Sequence, residues 1–473
     1  MSNPGAFGCG SPARLATLRS MSDRAPGRDL PLPHARGALR PRDAIAVALF
    51  ASLAILVAYA APPPFNLLAV AFLGTTILGT LVWTWPLAMA CSLPALIGLP
   101  QLGPVFALEI ALLVVAVVIL AHGLWARRDW VWRLEPLEIA VAAMLLWGMV
   151  TLFWCGSPLW WAAGVRRLAV GLVALWTAYR LGFVYRARWL PVGIVMAAIA
   201  IALAALQRGM STDWIALTSS HGRREGTDLG WGGSNYVGAL LALTVPTALD
   251  LALRSPRRAG RVLGWLMLPL VVAVMAWTSS RGGALLVILA TLLFVFRERL
   301  GARSLALIAA IVLCFAALLA GPGAQLLLRF TDPEQLGSLV VRLVFFREGW
   351  RRLVEHFPLG FGLGQGFVQL DYLAEADPHN YLLVLGSELG LIGLLLWGLI
   401  VVMIWRRSRQ LAKTPAVRTG AEALLFTLIV AFVNSLYEPT LTGLHYHFLF
   451  YWIVGAYLGS LSAAAATGTA RAT

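Results

Sequence analysis

The sequence predicts an all-α polytopic membrane protein, with about 12 to 14 transmembrane helices and one long outer loop carrying amphipathic helix. Three observations predict it. Of 473 residues, 59% are hydrophobic and only 12% charged, with a mean hydropathy of +0.79, which leaves a water-soluble globule nowhere to put its apolar surface. The apolar residues come in runs close to the roughly 20 needed to cross a bilayer core. The basic residues behind the net charge of +15 stand in short clusters between those runs. That is the pattern of the positive-inside rule, not the single basic face or arm of a nucleic-acid binder.

Residues 1–42 are rich in Arg, Pro, Gly and Ser without periodic apolar positions, and read as a disordered basic cytoplasmic tail with no signal-peptide core. Met21-Ser22-Asp23 offers a second start. Spans are expected at 43–61, 65–83, 86–102, 104–122, 136–155, 168–183, 190–207, 233–253, 262–279, 282–296 and 304–321. A long outer loop follows at 322–380, then spans at 381–405, 421–436 and 445–461, the last spanning block reaching 463, and a short cytoplasmic tail at 464–473. With the tail inside, the clusters Arg127/Arg128/Arg133, Arg180/Arg186/Arg188, Arg254/Arg257/Arg258/Arg261, Arg297/Arg299/Arg303 and Arg406/Arg407/Arg409/Lys413 all fall inside as well. The loops 156–167, 208–232, 280–281 and 322–380 then lie outside, where arginine runs against the charge bias and needs another explanation. Cys91, Cys155 and Cys314 lie in or at the ends of apolar runs and Cys9 stands in the tail. They make neither a disulfide framework nor a zinc spacing.

Two parts of the long loop can be read. From Ser338 to His356, Glu348, Arg351, Arg352 and Glu355 recur at helical spacing opposite Leu339, Leu343, Phe346, Trp350 and Leu353, an amphipathic helix suited to a membrane surface. The alternating glycines of Pro358-Leu359-Gly360-Phe361-Gly362-Leu363-Gly364-Gln365-Gly366 lack the Gly-Lys-Ser/Thr and the preceding strand of a phosphate loop. They read as a tight turn returning the chain across the protein.

The chemistry-bearing residues sit at the outer ends of spans. Arg281 lies in a short turn between Ser280 and Gly282-Gly283; its guanidinium is always charged, and the small neighbours let backbone approach a ligand closely. The bland reading is an interfacial arginine snorkelling to lipid phosphate. Arg223 and Arg224 precede Asn235 at the mouth of a span, and Arg208, Arg166/Arg167 and Arg342/Arg347 are weaker candidates read as solvated charges. His379, after Pro378 and before Asn380, caps the entry of the next span. An imidazole there is either a helix-end polar group or a base for a hydroxyl at neutral pH. Glu388, nine positions on, falls about 13 Å deeper on the other side of an ideal helix and reads as a buried structural acid. His445 and His447 read as interfacial polar groups, while Glu109 and Glu138 suit pairing with arginine.

Trp277-Thr278-Ser279-Ser280-Arg281-Gly282-Gly283, the long outer loop with Phe357 to Gly364, His379-Asn380, and Glu388-Leu389-Gly390 with Gly393 together resemble the O-antigen ligase and O-antigen polymerase superfamily of bacterial membrane glycosyltransferases. The ligases are the nearer likeness. Gly233-Ser234-Asn235-Tyr236 with upstream Arg224 is similar to the preceding motif of that family. The likeness runs from about Arg208 to the end of the histidine-bearing span, and its order is more specific than any one motif.

The resemblance implies transfer of a glycan from undecaprenyl diphosphate to a sugar hydroxyl on the periplasmic face of the inner membrane, inverting and metal-independent, with no cofactor. A ligase uses lipid A–core oligosaccharide as acceptor, and an O-antigen or exopolysaccharide polymerase another lipid-linked repeat. It implies His379 as the catalytic base and Arg281, Arg224, Arg223 or Arg208 as diphosphate-binding groups, with Asn380, Asn235 and Glu388 in support. Membrane lipids are the other partners, and nucleic acid is not one.

Glycosyltransferases with acidic residues in the first external loop fit poorly, because that loop is Pro62-Pro63-Pro64-Phe65. A protein-glycosylating ligase of this superfamily would carry a longer soluble C-terminal part. A lipid-linked glycan transporter would show repeats and charges paired near the midplane, of which Glu109 is the one hint.

Overall fold

The computed structural model describes residues 93–98, 101–102, 105–125, 134–184, 190–210, 234–278, 280–297, 337–366, 368–370, 373–376 and 378–466. The expected spans at 43–61, 65–83 and 304–321 and the tail at 1–42 lie outside them. The described residues form helices α1 (Ala107–Trp125), α2 (Pro136–Val150), α3 (Pro158–Val184), α4 (Leu190–Met210), α5 (Ser234–Arg254), α6 (Arg258–Thr278), α7 (Arg281–Arg297), α8 (Gly337–Glu355), α9 (Tyr381–Leu411), α10 (Arg418–Ser435) and α11 (Leu444–Ala466). Two short antiparallel pairs join them, β1 (Gln101–Leu102) with β2 (Val105–Phe106), and β3 (Val368–Leu370) with β4 (Leu373–Ala376). The chain is an all-α polytopic membrane protein: among the described residues seven helices are long and apolar enough to cross a bilayer.

Contacts between the helix ends sort them into two groups. At one end Glu422 of α10 accepts Arg254 at 3.4 Å, Arg297 at 2.6 Å and Arg418 at 3.0 Å, tying α5 and α7 to α10. The arginines of the α5–α6 turn and of the end of α9 lie at this end too. At the other end stand the starts of α5, α7, α9 and α11 and the turn after α10, bound together as described below.

Among the described residues the most extensive helix–helix contact runs along α3 and α11. Gly455 and Gly459 of α11 make it close: a Cβ at Gly455 would meet Leu175 O at 2.5 Å, and one at Gly459 Tyr179 O at 2.3 Å. This is the small-xxx-small packing that lets membrane helices approach backbone to backbone.

Helix α9 is broken at Gly390, whose φ of 64° and ψ of −159° only glycine adopts without strain. Below the break, exposed Leu391, Leu395, Leu399 and Val402 make a stripe at helical spacing, suited to lipid. The 21 residues from there to Leu411 cover about 31 Å, a bilayer core. Above it, Leu383 to Leu389 are buried, so this half-helix is packed in protein and carries His379 at its tip.

The glycine turn at 358–366 threads the break. Phe361 N donates to Ser387 O at 2.7 Å, Gly362 N to Glu388 O at 3.0 Å and Leu391 N to Pro358 O at 2.8 Å. The backbone groups freed by the kink are thus satisfied by the loop, as a bilayer demands. Helix α8, expected over 338–356, lies across the upper half of α9: Gly349 faces Pro378, and Leu353 faces Gly386. Leu343, Phe346, Trp350 and Val354 stay exposed. Its polar side is laced by Arg351 to Glu348 and Glu355 and by Arg352 to Glu348.

Five expectations are corrected. The described part of the span placed at 86–102 is a 3₁₀ turn, Leu93–Gly98, followed by β1, because Pro94, Gly98 and Pro100 interrupt any α-helix there. The segment 158–167, placed in an outer loop, is the first part of α3. Its arginines, expected to be solvated, are compensated by carboxylates: Arg166 meets Glu109 at 2.5 Å, and Arg167 meets Glu388 at 3.3 Å. Arg180, placed in an inner loop, is buried in α3 against Glu138 at 3.0 Å. His445 and His447 are buried, not interfacial, with His447 under Gly171 of α3.

Candidate active site

Asn380 starts α9 by accepting Leu383 N at 3.0 Å on its side-chain oxygen, and its amide donates to Leu436 O at 2.9 Å. That second bond pins the tip of α9 to the turn after α10. His379, one residue earlier, takes a φ of 52°, a left-handed conformation uncommon for a residue with a side chain and typical of functional positions.

In this conformation His379 Nδ1 lies 3.3 Å from Glu438 Oε2. The imidazole side chain is 30% exposed and Glu438 only 10%. Phe345 of α8 stands edge-on to the ring at 6.1 Å. A carboxylate on Nδ1 fixes the tautomer with the proton there, leaves Nε2 as an acceptor, and stabilises the imidazolium once a proton arrives.

Glu438 gathers the rest. Its Oε1 accepts Arg342 Nη2 at 2.5 Å and Asn235 Nδ2 at 3.2 Å. Ser280 Oγ donates to Asn235 Oδ1 at 3.4 Å, and the neighbouring Tyr437 hydroxyl donates to Gly282 O at 3.0 Å. Burial pushes the Tyr437 phenol well above its usual range, so it stays a donor. Arg281 sits between Ser280 and Gly282, both tied to this network, and is half-buried. One carboxylate thus links α5, α8 and the tip of α9, and α7 joins through Asn235 and Tyr437.

The expected site residues divide accordingly. His379, Asn380, Asn235 and Arg281 share one cluster. Glu388 does not face His379; it accepts Gly366 N at 3.1 Å and Arg167 at 3.3 Å, the structural acid read from helical spacing. Arg223 and Arg224 lie outside the described residues. Arg208 falls in the last turn of α4, with its side chain outside them as well. Arg342, read as a solvated charge, is paired instead. Sequence reading missed Glu438, which stands 59 residues after its imidazole partner. The available signal was a carboxylate in the short turn Tyr437-Glu438-Pro439 between two spans. Among the described residues no three His, Cys, Asp or Glu side chains gather as a metal site.

Fold and site together define a multi-pass helical membrane protein with a histidine–carboxylate pair and a guanidinium group at one end of its bundle. Residues 265–398, from α6 into α9, match the family model of O-antigen ligase. Over that stretch the chain resembles the O-antigen ligase family. The matched stretch holds Arg281, Arg342 and His379 but ends before Glu438, and it covers less than half of the chain. The chain matches no curated protein.

Proposed function

We propose that this protein is an O-antigen ligase, transferring a glycan from undecaprenyl diphosphate to a sugar hydroxyl of lipid A–core on the periplasmic face of the inner membrane. The observation that carries the reading is the contact of His379 Nδ1 with Glu438 at 3.3 Å, at the same helix ends as Arg281 and inside a network that the O-antigen ligase match overlaps.

In this mechanism the acceptor hydroxyl lies against His379 Nε2. Its oxygen attacks the anomeric carbon of the donor sugar from the face opposite the diphosphate, so the configuration inverts. The carbon–oxygen bond to the diphosphate breaks, and the electron pair leaves with the phosphate oxygen. The hydroxyl proton passes to Nε2, and the imidazolium is held by Glu438. Arg281, joined in this reading by Arg224, Arg223 or Arg208, neutralises the charge that grows on the leaving diphosphate, where preformed cationic donors act most strongly. The energy is stored in the donor, so no nucleotide is needed at a face without an ATP pool.

The periplasmic placement is supported by the sorting of the arginine-bearing turns to the opposite end of the bundle. Lipopolysaccharide from a deletion strain tests the reading. A ligase predicts bare core with long polymer left on the lipid carrier; core capped by a single repeat would make the protein a polymerase, and an unchanged ladder would remove both.

A further inference from the structure

We propose that Arg342 exchanges partners during the reaction: in the pairing seen here Glu438 holds it, and the diphosphate of an arriving donor takes it over, leaving Glu438 undivided for His379. The inference rests on the glycosyltransfer reading and goes past it, making base strength depend on the donor.

The contacts at Glu438 are unequal. Arg342 meets Oε1 at 2.5 Å, whereas His379 stands 3.3 Å from Oε2. A guanidinium that close competes with the imidazole for the one carboxylate. Asn235, also on Oε1 at 3.2 Å, remains to hold the carboxylate in place when the arginine leaves.

Arg342 is the partner free to move. Its side chain is 34% exposed against 10% for Glu438. It lies seven residues, about 10 Å of helix, before Gly349, where α8 is clamped on Pro378. A guanidinium keeps its proton at any working pH, so it can answer a new anion only by changing partners. A diphosphate offers more charge than one carboxylate, and phosphate oxygens match the guanidinium fork in two parallel bonds.

Glu348, on the same helix, is engaged by Arg351 and Arg352, and the Tyr437 hydroxyl by Gly282 O. Arg281 lies beside Ser280 at the start of α7 and stays cationic throughout. The consequence is ordering: the acceptor hydroxyl meets a strong base only when a leaving group is in place, which protects the site from idle proton transfer.

The test uses the full chain in lipid nanodiscs, as wild type, Arg342→Gln and Arg342→Lys. Modification of His379 by diethylpyrocarbonate, which reacts with neutral imidazole, is followed by mass spectrometry across pH with and without inorganic diphosphate. In wild type, diphosphate should raise the midpoint by about one pH unit, a tenfold gain in proton affinity. Arg342→Gln should begin at the raised midpoint and respond less than half as far. Arg342→Lys, which keeps the charge and guards against a folding defect, should begin at the wild-type midpoint and need about tenfold more diphosphate. An Arg342→Gln midpoint equal to wild type, or equal shifts in both proteins, overturns the exchange. Transfer assays on the same preparations separate the two readings. Active wild type without a midpoint response sinks the exchange alone, and a midpoint response without transfer in wild type sinks the ligase.

Discussion

Glu438→Gln isolates what the carboxylate does for His379. The substitution keeps the side chain's shape and an oxygen for Nδ1–H, and removes only the charge. With the imidazole nitrogen 3.3 Å away, a unit pair at about 4 Å and an effective dielectric near 20 is worth about 4 kcal/mol. The His379 side chain is 30% exposed, so solvent screening leaves roughly half of that, about 2 kcal/mol of imidazolium stabilisation. In the transition state this is about 30-fold in rate. The assay is transfer by purified protein at saturating donor, with membrane levels and melting temperature checked because Arg342 also loses its partner. Glu438→Gln should lower kcat about 30-fold and move the acidic limb of the pH profile to lower pH, while His379→Ala falls further. Wild-type kcat and pH profile in Glu438→Gln, beside an inactive His379→Ala, would refute Glu438 as the group that acts through His379.

Other predictions concern the scaffold. Gly390→Ala would place a Cβ 1.9 Å from Pro358 O at a φ of 64°, so it should cost at least about 2 kcal/mol, read as a lowered melting temperature. Arg167→Met strands Glu388, whose side chain is only 4% exposed, and should destabilise by about 3 to 5 kcal/mol. Adding Glu388→Gln, which keeps an acceptor for Gly366, should recover most of that loss. The hydrogen bond from Arg351 holds the Glu348 carboxyl below its usual range. Its contribution to α8 is therefore complete above that range and lost as pH falls through the lowered value. Amide protection in α8, corrected for the intrinsic pH dependence of exchange, should fall as pH drops below the ordinary glutamate range, and Glu348→Gln should weaken that dependence.

The site was half legible. His379 could be picked out because Pro378 and Asn380 frame it at the head of a long apolar run, and local spacing alone kept Glu388 away from it. Arg342 read only as a solvated charge, and Glu438 offered no more than a carboxylate in a short turn. Their roles come from helices that close on one another only when the bundle folds. The same holds for Arg166 and Arg167. A pair of arginines inside an apolar stretch reads as a loop until Glu109 and Glu388, far along the chain, arrive to compensate them. The glycine run announced a turn, since alternating glycines permit left-handed backbone. That it completes the hydrogen bonds of a broken helix depended on the break at Gly390, which within Leu389-Gly390-Leu391 looks like any membrane-helix glycine.

Reconstituted transfer tests the central claim most directly. Purified protein, lipid-diphosphate-linked glycan and lipid A–core acceptor are combined, and acceptor-bound glycan is measured together with released undecaprenyl diphosphate. Wild type should form both in equal amounts, and His379→Ala, folded and present at the same level, should form neither. Undiminished product with His379→Ala would contradict the account.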